Sequence, residues 1–267
     1  MKSAGFIVAV LLAGLLAGTP AAAVTREEAT VQNAALVLRE LQSMPDLQIP
    51  DQLLARAEGL VILPANVKVG LIFGARFGTG VMLVRDAERK WSNPVFVNTG
   101  GGSWGFQAGG QVSDIVLVLT TRQSVEGITD GKLTLGADAS VAAGPVGRTA
   151  MASTSVTFDS EIYAYSRAKG LFAGVSLEGN GIFIARKANR RFYDGEDNAA
   201  VLLASKQAPP PPADELLAEV RRLTTTSGDH AAQTPPAPAT EVPTTTQPAE
   251  PRTYPIEDQE PGTEPPP

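Results

Sequence analysis

The chain has 267 residues, no cysteine and a single histidine, His230, so disulfides, thiolate metal sites, cysteine nucleophiles, histidine-based triads and His-containing zinc sites in a folded core are excluded. The formal charge of −6 is unevenly spread: residues 207–267 hold ten acidic and three basic residues, and setting these and Lys2 aside leaves 18 of each sign in residues 24–206. A neutral domain exerts no bulk attraction on nucleic acid, so any anion recognition must come from a local patch.

Residues 1–23 read as a secretory signal. Lys2 gives the charged start, Phe6–Leu16 an apolar stretch too short to span a bilayer, and Ala21-Ala22-Ala23 a small-residue cleavage site. Export is therefore expected, to the periplasm or beyond the cell, and a chain without disulfides must then be stabilised by its own core. Arg26–Ser43 has helical period, with Val31, Ala34, Ala35, Leu38 and Leu41 on one face; it can pack on a sheet or lie on a membrane surface. A second short helix is expected from Pro50 to Glu58, stopped by Gly59.

The period then changes. Leu60–Leu63, Val69–Phe73, Val81–Arg85, Val95–Val97, Ile115–Thr120, Leu133–Leu135, one or two strands within Thr154–Tyr165, and Ile182–Ala185 read as strands separated by Gly, Asn and Asp clusters. Val125–Asp130 reads as a brief helix or turn, and Asn198–Ala204 as a closing helix. The fold class this predicts is α+β, a mostly antiparallel sheet bracketed by short helices. Residues 207–267 contain 15 of the 21 prolines and read as a disordered acidic tail, with one or two helical turns at Asp214–Leu223.

A pattern recurs inside the strand region. Gly78-Thr-Gly80-Val-Met-Leu-Val-Arg85 parallels Gly179-Asn-Gly181-Ile-Phe-Ile-Ala-Arg186, and Lys68-Val-Gly70-Leu-Ile-Phe-Gly74 parallels Lys169-Gly170-Leu-Phe-Ala-Gly174. Two copies are too few for a solenoid but suffice for two pseudo-repeated, glycine-hinged halves of one domain; a chance match of glycine-rich strands is the alternative. None of these glycines fits a phosphate-binding loop, which needs Gly-Lys-Ser/Thr opening a helix. Asp114, Asp138 and Glu161 are the candidate carboxylates for catalysis or metal binding, but their spacing matches neither a calcium loop nor a glycosidase pair, and turn or strand-end roles are the simpler reading. Arg167 and Lys169 open the second glycine-rich stretch, and Arg186, Lys187, Arg190 and Arg191 close it. This basic cluster is suited to phosphate, or else forms a solvated turn partly neutralised by Asp194, Glu196 and Asp197. Gly100-Gly-Gly-Ser-Trp-Gly105 reads as a mobile loop presenting Trp104 to a membrane or partner, with a buried Trp the alternative.

Gly136-Ala-Asp-Ala-Ser-Val-Ala-Ala-Gly-Pro-Val-Gly147 and Ile162 through Gly179, together with Arg85–Pro94 and Gln107–Asp114, resemble the SYLF domain over roughly residues 32–194. The resemblance implies a non-enzymatic, lipid-binding domain without cofactors, from a family whose eukaryotic members bind phosphoinositides and, in yeast, actin. Combined with the signal-like N-terminus, it implies binding of anionic lipid headgroups at an envelope membrane by Arg167, Lys169, Arg186, Lys187, Arg190 and Arg191, with Trp104 adding apolar purchase. Actin is not expected as a partner of an exported chain. The alternative is an envelope scaffold that docks a protein partner and uses the proline-rich tail as a spacer.

Overall fold

The computed structural model describes residues 24–44, 48–70, 73–104, 109–144, 158–168, 171–172 and 179–233. The signal-like segment lies outside them, as do Lys169 and the tail beyond Gln233. In chain order the elements are helices α1 (Arg26–Ser43) and α2 (Asp51–Arg56) and strands β1 (Gly59–Gly70), β2 (Phe73–Val84), β3 (Val95–Trp104) and β4 (Gly109–Leu119). Helix α3 (Arg122–Thr129) precedes strands β5 (Lys132–Thr134), β6 (Val141–Ala143), β7 (Ile162–Ala168), β8 (Leu171–Phe172) and β9 (Gly181–Ile184). Helices α4 (Arg186–Phe192), α5 (Ala199–Ala204) and α6 (Asp214–Gln233) close the described chain.

The strands form one sheet in the order β5-β9-β3-β2-β1-β4-β7-β6, with β8 on β7. Every pairing is antiparallel except β6 with β7. The expected α+β class with a mostly antiparallel sheet and flanking helices is what the chain adopts. Alternation along the central strands divides the apolar residues between two faces. Leu60, Ile62, Val81, Leu83, Phe96, Val116, Val118 and Tyr165 face one core, completed by α1, α2, α4 and α6. Val61, Met82, Val97, Ile115, Leu117 and Ile182 face a second, closed by α3 and β5 through Val125, Ile128 and Leu133. Strands buried on both faces explain why the sequence reads there as continuous apolar runs.

The two glycine-rich copies meet in the middle of this sheet. Strands β2 and β9 flank β3 and run antiparallel to it, with Gly80 opposite Val97 but Gly181 opposite Gly100. This offset of three residues is odd, so equivalent positions point to opposite faces. Val81 lies in the helix-covered core and its counterpart Ile182 in the other.

Several expectations are corrected. Pro64 does not end a strand: β1 continues through it by way of a bulge, where the pairing with both neighbours shifts and Ala65 takes a positive φ of 54°. The glycine run at 100–102 is strand, not loop, and Trp104 is its last residue, paired with Phe73. Glycine is required there by close approach, since a Cβ on Gly101 would lie 2.2 Å from the Asn180 side-chain oxygen. The segment after Ile184 is helix α4 rather than a turn. Order does not stop at 206 either. Helix α6 buries Leu216, Leu217, Val220 and Leu223 in the helix-covered core, so the disordered tail expected from 207 is corrected as far as Gln233.

Candidate functional site

A cleft of about 520 Å³ opens where the N-terminus of α1 meets the N-terminus of α4 over the ends of β2, β3 and β9. Thr25 caps α1 by accepting from the Glu28 N–H, and Glu28 returns a bond to the Thr25 N–H, which fixes the first turn and with it Arg26 at the cleft edge. Strand β9 runs straight into α4, so Arg186 and Lys187 form the first helical turn. Sequences ordinarily place carboxylates there, because the free backbone N–H groups already carry partial positive charge. Asn189 anchors this helix: its side-chain oxygen accepts from the Phe96 N–H at 2.7 Å, and Phe192 packs edge-on against Phe96.

The cleft wall carries Arg26, Arg186, Lys187 and Arg191 against one carboxylate, Glu27. Glu27 is committed to Arg191, whose Nε donates to it at 2.8 Å, and that bond holds the Glu27 carboxyl below the usual glutamate range. Among the described residues, Arg26, Arg186 and Lys187 make no ion pair. A second depression of about 590 Å³ continues along the same sheet face and shares Arg26, Thr30, Thr79 and Asn98 with the first. Its floor is apolar: Val67, Phe77, Gly100 and Phe183, of which Phe77 is 52% and Phe183 36% exposed. At the junction Thr79 donates to Asn98 at 3.0 Å. A basic mouth thus leads into an apolar trough, an arrangement that fits an amphiphile with a negative head.

The structure brings Arg186, Lys187 and Arg191 to this cleft. Arg190 points away and pairs with Asp197, its Nε at 3.0 Å. Arg167 stands on β7, sandwiched between Asp114 at 2.9 Å and Glu40, with 17% of its side chain exposed. These ion pairs raise the affinity of both guanidiniums for their protons and commit each charge to a carboxylate. Lys169 and the side chain of Trp104 lie outside the described residues. The carboxylates considered for chemistry have local duties instead: Asp138 accepts from the Thr134 N–H and Glu161 from the Ser140 N–H. Among the described residues no group of three metal-ligating side chains converges, and no helix is long and apolar enough to cross a membrane.

Sequence reasoning missed Arg26, Phe77 and Phe183. The available signal was Phe183 itself, an aromatic standing where the first copy has Met82. The three-residue offset turns Met82 into core and Phe183 into trough floor.

Residues 100–223 match the family profile Ysc84, described as "Las17-binding protein actin regulator". The chain is 36% identical over 172 residues to the SH3 domain-containing YSC84-like protein 1 of Xenopus laevis, covering 62% of this chain and 51% of that protein. It is 38% identical to the Homo sapiens protein of the same name over 168 residues, 61% of this chain and 49% of that one. To LAS seventeen-binding protein 3 of Saccharomyces cerevisiae it is 41% identical over 151 residues, 55% of this chain and 33% of the yeast protein. The chain therefore spans about half the length of the animal relatives and a third of the yeast one.

Proposed function

Because the chain carries a domain of the Ysc84/SYLF family, we propose that it is an exported, non-enzymatic binding protein that takes anionic lipid headgroups at an envelope membrane. The observation that carries this reading is the convergence of three cations, Arg26, Arg186 and Lys187, without ion pairs among the described residues, on a cleft continuous with the exposed rings of Phe77 and Phe183. The headgroup phosphate sits among the three cations and an acyl chain lies along the trough. Each basic residue near an anionic surface contributes about 1 kcal/mol, weakening with salt. Two such residues account for roughly a 30-fold change in partition. The signal-like pattern of residues 1–23 supports export, and actin is not expected as a partner of an exported chain.

Co-sedimentation of the full chain with phosphatidylglycerol and phosphatidylcholine vesicles, at low and high salt, tests this. The expected result is binding to the anionic vesicles alone, reduced but not abolished by salt because the trough adds an apolar contribution. Equal binding to both lipids, or to neither, contradicts it. The alternative reading is an envelope scaffold that docks a protein partner and uses the proline-rich segment as a spacer. Removing residues 234–267 then abolishes partner capture while vesicle binding survives.

A further inference from the structure

We propose that the sheet face opposite the basic cleft holds a second, internal anion site, in which Arg76, Lys68 and Asn66 bind a phosphate-class oxyanion. Lys68 on β1 and Arg76 on β2 are direct cross-strand partners, so two cations stand side by side on one face. Alternation along β2 puts Arg76 on the face of Met82, away from Thr79, α1 and the cleft. Asn66 lies beyond the β1 bulge on that same face, its Nδ2 only 2.7 Å from where a Cβ on Gly78 would be. Gly78 is two residues along from Arg76.

Arg76 and Asn66 are buried without compensation, with Lys68 half-buried beside them. Arg76 is 6% and Asn66 1% exposed. Among the described residues, neither Arg76 nor Lys68 is paired with a carboxylate. One terminal nitrogen of Arg76, and both the amide nitrogen and the oxygen of Asn66, have no hydrogen-bond partner among the described residues. Desolvation alone pulls the Arg76 proton affinity down, with no nearby negative charge to restore it. A folded protein rarely leaves buried polar atoms unsatisfied, and an uncompensated buried cation is more costly than an unpaired amide. Clustered orphans of this kind form a cradle whose missing member is an anion.

The donor set specifies the anion. A guanidinium offers parallel N–H groups to two oxygens of a tetrahedral oxyanion, and an ammonium adds a point charge. Asn66 contributes a donor and, unusually, an acceptor with nothing to accept. Hydrogen phosphate, or a protonated phosphomonoester, supplies the O–H that this acceptor needs; sulfate at neutral pH does not. The phosphate is either free or the exposed monoester of a lipid headgroup.

Thermal unfolding of the full chain in low-chloride buffer, with inorganic phosphate or sulfate added, tests the proposal. Phosphate is expected to raise Tm by about 5–10 °C near one hundred times Kd, and sulfate to do markedly less. Arg76→Met removes the buried charge at similar volume; it should raise Tm without phosphate and erase the phosphate response. Asn66→Asp, which places a carboxylate beside Arg76, should do the same and serves where Arg76→Met fails to fold. A wild-type Tm indifferent to phosphate, a phosphate response that survives Arg76→Met, or lower stability of both variants without phosphate overturns it. Arg186→Gln/Lys187→Gln should keep the phosphate response, so this site and the basic cleft fail independently. With phosphatidic acid vesicles, loss of binding in Arg76→Met assigns the phosphate to a headgroup, and unchanged binding assigns it to the free ion.

Discussion

Asp114 joins three strands and a helix through one carboxylate. It accepts from the Ala65 N–H at 3.0 Å, which steadies the left-handed residue of the β1 bulge, and from Arg167, which in turn reaches Glu40 on α1. Asp114→Asn keeps the shape but discards the charge, and should cost about 1–3 kcal/mol in urea unfolding. Arg167→Gln should likewise weaken the fold while leaving vesicle binding intact, because its charge is already paired with two carboxylates. The Glu27–Arg191 pair makes a pH prediction. The Glu27 carboxyl is held below its ordinary value by Arg191, so its stabilising effect is present above the ordinary carboxylate range and is lost as pH falls through the lowered value. Tm measured from pH 6 to pH 3 should fall more steeply for the wild type than for Glu27→Gln.

Among the elements, α6 changes where the domain ends. Its apolar stripe, Leu216, Leu217, Val220 and Leu223, packs against α1 and α2, and Trp91 donates to Thr224 at 3.0 Å. Arg39 on α1 is tied to Glu215 at 2.7 Å. Leu216→Ala should cost about 2–5 kcal/mol, since the residue is fully buried. A chain ending at Lys206 should aggregate or unfold at lower temperature than one ending at Gln233, by circular dichroism. Helix α1 was legible to its end residues, because its apolar spacing and Thr25–Glu28 box are local signals. Helix α6 was half-legible: its stripe was present, but proline-rich neighbours on both sides dominate the composition. The strand at Gly100–Gly102 was illegible, because glycine reads locally as a loop and only the Asn180 side chain, 79 positions away, explains it.

Across the whole molecule, charge is better described by pairing than by clustering. Extending the ordered part to Gln233 adds four acidic and two basic residues, leaving it at −2, so attraction to anions is local. The basic cluster after Ile184 is visible in the sequence, but its paired members cannot be told there from its unpaired ones. That distinction needs Asp197 and Glu27, one of them 164 positions from its partner. Nor could the sequence foresee that an odd register offset between two similar strands would send Phe183 into the trough. The most direct measurement of the central claim is therefore the partition of two charge variants onto phosphatidylglycerol vesicles at low salt. The account predicts that Arg186→Gln/Lys187→Gln lowers partition roughly 30-fold while Arg190→Gln, whose guanidinium is held by Asp197, leaves it within about twofold. Equal losses in the two variants, or none in either, would contradict it.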